Sequence, residues 1–309
     1  MNNFKGEQLA IVTRSGFTES IHFGFLIALD SSGKVEISQG DANQIIFARS
    51  ALKSLQAAAM LRNGLQVSDQ QLALVCASHS GSNSHIEIAR SILKDHQIAE
   101  SELKNAKDRP LGEVERVAWG EKPAERIAHN CSGKHAGMLA TCVAKNWPKD
   151  SYLDVNHPLQ VAIKAEIEKL SGEKITQISI DGCGAPLFGF SLIGLARAIH
   201  NLMKSTDPIH QRIVAACRQF PEVVAGEKRL TTRMMRSVPG LFMKEGAEGV
   251  EVCALADGRT IAMKIIDGSW RPVAPIIQEI FSRWNVTMPD ESVNITGGDQ
   301  IVGKVIATI

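Results

Sequence analysis

The stretch "GLFMKEGAEGVEVCALADGRTIAMKIIDGS" (240–269) decides the fold. Three turn dipeptides, Glu248-Gly249, Asp257-Gly258 and Asp267-Gly268, punctuate runs of β-forming residues, which predicts a meander of antiparallel strands. Near the other end, "FGFLIALDSSGKVEISQG" (23–40) reads as two strands around the turn residues Asp30-Ser31-Ser32-Gly33. The final "GKVIATI" (303–309) is expected as an edge strand. Strands at both ends with helices between them give an α+β class: one antiparallel sheet from the N- and C-terminal parts, with helices packed on it. No internal repeat or low-complexity linker divides the chain, so residues 1–309 are expected as one domain, with a helical lobe in the middle.

The helices are marked by periodicity and punctuation. One is expected from Ser50 to Leu61, closed by Asn63-Gly64. In 70–96 a short apolar run enters a Ser/Gly/Asn loop and then an amphipathic helix carrying Ile86, Ala89, Ile92 and Leu93. "NHPLQVAIKAEIEKLSG" should end at Gly172, and further helices are expected after Cys131, near 208–218 and over "PVAPIIQEIFSRW". The charged stretch 101–128, with Pro110 and Pro123, reads as irregular surface structure. "ITQISIDGCGAPLFGFSLIGLARAIHNL" reads as a strand, a Gly-rich loop and a helix.

A net charge of +1 with no basic block excludes an electrostatic footprint for nucleic acid. No apolar run approaches the ~20 residues that cross a bilayer, and "MNNFKGEQLAIVTRSG" lacks the pattern of a secretory leader. Six scattered cysteines fit free thiols in a reducing compartment. The expectation is a cytoplasmic enzyme or ligand-binding protein.

Chemistry enters at "ARSALKSLQAAAM" (48–60). Lys53 stands at a helix start, where the partial positive charge disfavours an ammonium. Three residues earlier is Ser50, close enough along a helix for the amine to reach its hydroxyl. Serine needs a base to become a nucleophile, and lysine becomes one when burial and nearby positive charge lower its pKa. The plainer alternative is a capping serine with a solvated lysine. Downstream come Ser78-His79-Ser80 and Lys244-Glu245-Gly246, in the order of the S-x-x-K, S-D-N and K-T-G elements of penicillin-recognising enzymes, with the first element alone matching letter for letter.

"NCSGKHAG" (130–137) fails the P-loop pattern at Ala128 and His135, so phosphate cradling is rejected. Cys131 there and Cys183 in "DGCGAPLF" (181–188) sit in loops leading toward helices. Two thiolates with a nearby amine or imidazole suit zinc; buried thiols lining a pocket are the other reading.

Taken together, "ARSALK", "CASHSG", "NCSGKHAGMLA", "NHPLQ", "DGCGAPLF" and "VVAGEKR" occur in the order found in the Rhizobium-type L-asparaginases, which the chain resembles from about Glu19 onward. That resemblance implies a fold similar to serine β-lactamases and glutaminases, a homodimer, and hydrolysis of L-asparagine to L-aspartate and ammonia. It implies two serine–lysine tandems, Ser50–Lys53 and Ser78–Lys244, and a zinc site at Cys131, Lys134 and Cys183 with Asp181 close by. For the substrate, Arg49 is the candidate for the α-carboxylate, and Asp181 and Glu19 for the α-ammonium. The chain departs from the pattern at Ser54, where proline is common, and at Gly81, where an acid is common. The rival functions are a glutaminase or β-lactam-type serine hydrolase, and a non-catalytic zinc-dependent protein that binds amino acids.

Overall fold

The computed structural model describes residues 5–309; the first four residues of the N-terminal stretch read for a leader lie outside them. The chain opens with strands β1 (Glu7–Arg14), β2 (Phe17–Leu29), β3 (Val35–Gln39) and β4 (Ile45–Phe47). A 3-10 turn (Arg49–Leu52) follows, then helices α1 (Lys53–Arg62), α2 (Asp69–Val75), α3 (Asn83–Asp95), α4 (Glu113–Trp119), α5 (Ser132–Lys145) and α6 (Pro158–Ser171). Strands β5 (Gln177–Ile180) and β6 (Pro186–Ser191) lead into α7 (Leu192–Lys204), α8 (Pro208–Gln219), α9 (Pro221–Val224) and α10 (Leu230–Ser237). The chain closes with β7 (Phe242–Gly246), β8 (Val250–Ala254), β9 (Thr260–Ile265), α11 (Val273–Arg283), β10 (Asn294–Gly297) and β11 (Gln300–Ala307).

The main sheet runs β10-β11-β1-β2-β9-β8-β7, with β3 also paired to β2, and every pairing is antiparallel. The expected meander is β7-β8-β9. Its first turn, residues 247–249 between the paired Gly246 and Val250, holds both Glu248 and Gly249 at positive φ, 64° and 65°, a region that glycine enters without steric cost. N-terminal β2 then joins C-terminal β9, with Leu26 opposite Met263. Consecutive residues are buried along β8 and along the second half of β2, so both faces are covered there. Helix α7 packs on β2, β8 and β9, while α11 packs against β1 and β11. Ser191 caps α7 by accepting from Gly194 N at 2.9 Å, and Gly172 ends α6 with a left-handed φ of 74°.

Four expectations change. The C-terminal strand is not an edge, because β10 pairs outside it. A second sheet of three strands, β4-β6-β5, stands apart from the main one. Its β6 was read as loop and helix because all six of its residues are buried, which removes the alternation that marks a strand. The helix expected from Ser50 begins at Lys53 instead, with Ser50 in the 3-10 turn and no side-chain cap at either start. Finally, the irregular stretch 101–128 includes the short helix α4.

Leu26 is fully buried in the strand that joins the two ends of the chain. Leu26→Ala is expected to cost about 2–5 kcal/mol, read as a lowered denaturant midpoint at unchanged m-value.

Candidate active site

Helix α2 ends at Val75, and the loop that follows is pinned where Ser78 N donates to Val224 O (3.0 Å) and Ser80 N to Ala225 O (2.7 Å). This fixes Ser78 beside two amines. Lys53, at the first turn of α1, donates to Ser78 Oγ at 3.2 Å and to the Ala77 carbonyl. Lys244, from β7, donates to the same oxygen at 2.9 Å and to Glu245 O at 2.8 Å. Both lysines are 1% exposed. Burial, reinforced by the charge of Lys53, lowers the Lys244 pKa to about 8.

The expected direct Ser50–Lys53 hydrogen bond is therefore not formed. The Lys53 amine is taken instead by Ala77 O and Ser78 Oγ, acceptors from a different segment, so the three-residue spacing does not pair it with Ser50. Ser50 instead lines a cavity of about 450 Å³, together with Ser78, Asn130, Arg229, Glu245 and Asp267. The turn carrying Ser50 is held close to the end of β7. A Cβ on Gly246 would come within 2.4 Å of Ala48 O and 3.2 Å of Ala51 N, so glycine is what permits this approach.

Arg49 adopts φ 53°, a left-handed conformation that costs a side-chain-bearing residue about 1–3 kcal/mol. In this conformation its Nε reaches Asp181 Oδ1 at 2.6 Å. Burial opposes ionisation of Asp181, but Lys134 and Arg49 outweigh it and hold the carboxyl below its ordinary range. The two residues expected to take opposite ends of a substrate thus take each other. Glu19 is not brought to this region: it is exposed on β2 and paired with Arg14 at 2.8 Å.

Next to Asp181 lies the cysteine cluster. One donor atom from each of Cys131, Asp181 and Cys183 lies within 4.8 Å of the others. Cys183 Sγ is 3.4 Å from Asp181 Oδ2, and Lys134 Nζ donates to Cys183 Sγ at 3.1 Å. Hydrogen bonding from the Cys183 thiol holds Cys131 well below the usual thiol range, against its own burial; the same bond and burial push Cys183 up. Burial disfavours the Lys134 charge, yet Cys183, Cys131 and Asp181 together raise its pKa. Two sulfurs and a carboxylate are a donor set that suits zinc.

Several cavity residues escape a reading by motif spacing. Arg229, bonded to Glu245, lies inside "VVAGEKR", and Asn130 opens "NCSGKHAG", so both stood in stretches already singled out. Asp267 belongs to a turn dipeptide whose loop role hid its chemistry.

With this geometry in hand, comparison with known proteins places the chain. The family described as L-asparaginase II matches residues 10–303. The chain belongs to the L-asparaginase II family, a family of asparaginase-type amidohydrolases. No curated protein sequence matches it. Among solved structures it is similar to a β-lactamase from Mycobacterium bovis, at 11% identity and a TM-score of 0.46, covering 84% of this chain and 94% of that one.

Gly246→Ala should drive β7 away from the Ser50 turn. The expected outcome is a fall of about 10–100-fold in kcat/KM with the melting temperature lowered by only a few degrees.

Proposed function

We propose that the protein hydrolyses the side-chain amide of L-asparagine to L-aspartate and ammonia through a serine ester. The observation that carries this reading is the Lys53–Ser78–Lys244 cluster opening on the cavity that Ser50 shares. Ser50 is the attacking alcohol, because it is only partly buried whereas Ser78 is 3% exposed. In the first half-reaction Ser50 Oγ bonds to the amide carbon and its proton passes to a neutral lysine amine of the cluster, relayed by Ser78. The carbonyl oxygen becomes an oxyanion, for which N–H groups at the start of the 3-10 turn are available because such groups lack intrahelical acceptors. When the C–N bond breaks, the lysine returns the proton to the departing nitrogen, releasing ammonia. Water then cleaves the ester by the same proton path. A second reading makes Ser78 itself the nucleophile, favoured by its direct bonds to both amines.

The reading includes zinc held by Cys131, Cys183 and Asp181. When bound, zinc supplies a Lewis-acidic anchor for a substrate oxygen. Lys134, which donates to Cys183 and is charged beside the Cys131 thiolate, would act as counter-cation to the set and, once deprotonated, could serve as a further ligand. Arg49 orients Asp181, and Arg229 faces the cavity as a cation for the substrate carboxylate. The reading extends to a single-domain homodimer working in the cytoplasm. No helix among the described residues is long and apolar enough to cross a membrane, and exposed Phe17, Ile21 and Phe23 on β2 offer a second copy an apolar surface to cover.

Ser50→Ala and Lys53→Met are each expected to lower kcat by about 10³-fold or more with the fold retained, measured as ammonia release from asparagine and, in parallel, glutamine. Normal turnover in Ser50→Ala would sink the first reading, and labelling by an electrophilic asparagine analogue with peptide mapping identifies the esterified serine. Binding of asparagine without any ammonia would return the protein to a binding role.

Because the base must be neutral, kcat/KM should rise with pH through about 8, the value to which Lys244 is lowered, and fall on the acid side. A flat profile from pH 6 to 9 contradicts the assignment. Cys131→Ser should lower the zinc content measured by atomic emission; unchanged content would make that thiol a packing group.

A further inference from the structure

We propose that Asp267 is the anchor for the substrate's α-ammonium and that His22 is the residue that aims it. This rests on the amino-acid amide reading above and deepens it. Asp267 lines the same cavity as Ser50 and Ser78, on the turn that follows β9. The turn is fastened to β2, which carries His22, where Ile266 N donates to Phe23 O at 2.9 Å. Within it, Asp267 Oδ1 accepts from Ser269 N at 2.8 Å and Oδ2 faces His22 Nδ1 at 2.9 Å. The side chain keeps 49% of its surface open. A carboxylate has about four lone-pair sites, so capacity remains for a cation entering the cavity.

The histidine provides the second observation. An ionised carboxylate can only accept, so His22 Nδ1 carries the proton it donates. The ring is 6% exposed, and its other nitrogen, Nε2, is buried without a partner among the described residues. A buried unpaired nitrogen is destabilising, and the hydrogen bond the ring does make is to Asp267. The histidine is thus held in an unfavourable setting with its one satisfied nitrogen aimed at a cavity carboxylate.

The other acids are less suited. Glu245 is bonded to Arg229, Asp181 to Arg49 and Glu19 to Arg14. Glu248 reaches the cavity from an exposed turn, and no side chain among the described residues orients its carboxylate. Arg229 also lines the cavity and, with five N–H donors, keeps capacity beyond its bond to Glu245, so an α-amino acid finds an acceptor for its ammonium and a donor for its carboxylate around one space.

The test compares L-asparagine with succinamate, which has the same amide and carboxylate but no α-ammonium. Both kcat/KM and calorimetric affinity are measured on the full chain. Wild type should prefer asparagine, and Asp267→Asn should reduce that preference about tenfold or more, mainly through KM. His22→Leu should shift it in the same direction, whereas His22→Asn, which can present an amide N–H near the position of Nδ1, should restore part of it. A merely structural histidine would give no such rescue, and melting curves confirm that each variant folds. The proposal is overturned if wild type shows no preference, if Asp267→Asn keeps the wild-type preference, or if Glu248→Gln is the variant that loses it. Should asparagine bind preferentially without releasing ammonia, and Asp267→Asn abolish that preference, the anchor stands while the hydrolysis reading fails.

Discussion

The site depends on one hydroxyl gripped by two buried amines. Ser78 Oγ receives Lys53 from the helical part of the chain and Lys244 from the main sheet. Removing an ammonium from water is costly unless its N–H groups find acceptors, and here each amine finds a backbone carbonyl as well as the serine. Two like charges at this separation repel, so the charge of one lysine makes the other easier to deprotonate. The direction found for Lys244 follows from that arrangement. If the helices docked differently on the sheet, the hydroxyl would lose one of its partners.

A second charged group, around Lys134, Cys131, Cys183 and Asp181, is tied to the serine turn through Arg49. Arg49 is next to Ser50 in sequence and pays for the contact with a left-handed backbone. Strain at such a position is sustained when surrounding contacts over-determine it, and the 2.6 Å ion pair with Asp181 is one of them. The cysteine cluster therefore bears on the placement of Ser50 even where no atom of the cluster touches it.

How much of this was legible in the sequence differs from one element to another. The meander β7-β8-β9 was readable because its turns need positive φ and so need glycine. Strand β6 was not, since a run buried on both faces carries no period. For the site, Ser50, Lys53, Ser78 and Lys244 were visible, and the Ser78–Lys244 pair implied by the resemblance is formed, but the partner of Lys53 was not legible. Spacing along a helix favoured Ser50 with Lys53, whereas the tertiary fold gives Lys53 to Ser78, a residue from a different segment. Arg49 and Asp181 were read as separate charges because sequence shows which residues are ionisable and not which ones neutralise each other. Asp267 was hidden for a related reason: a residue that explains a turn gives no sign that its carboxylate faces a cavity.

Strand β7 closes one border of the main sheet. Such a border ordinarily exposes a row of unused peptide groups on which another chain can stack, the route by which sheets join into aggregates. Here the Ser50 turn lies against the end of that strand at Gly246, and α10 packs along it. The turn and helix that border the strand of Lys244 thus also cover the rim of the sheet, so the contact that sets Ser50 at the cavity leaves fewer peptide groups open for another chain to stack on.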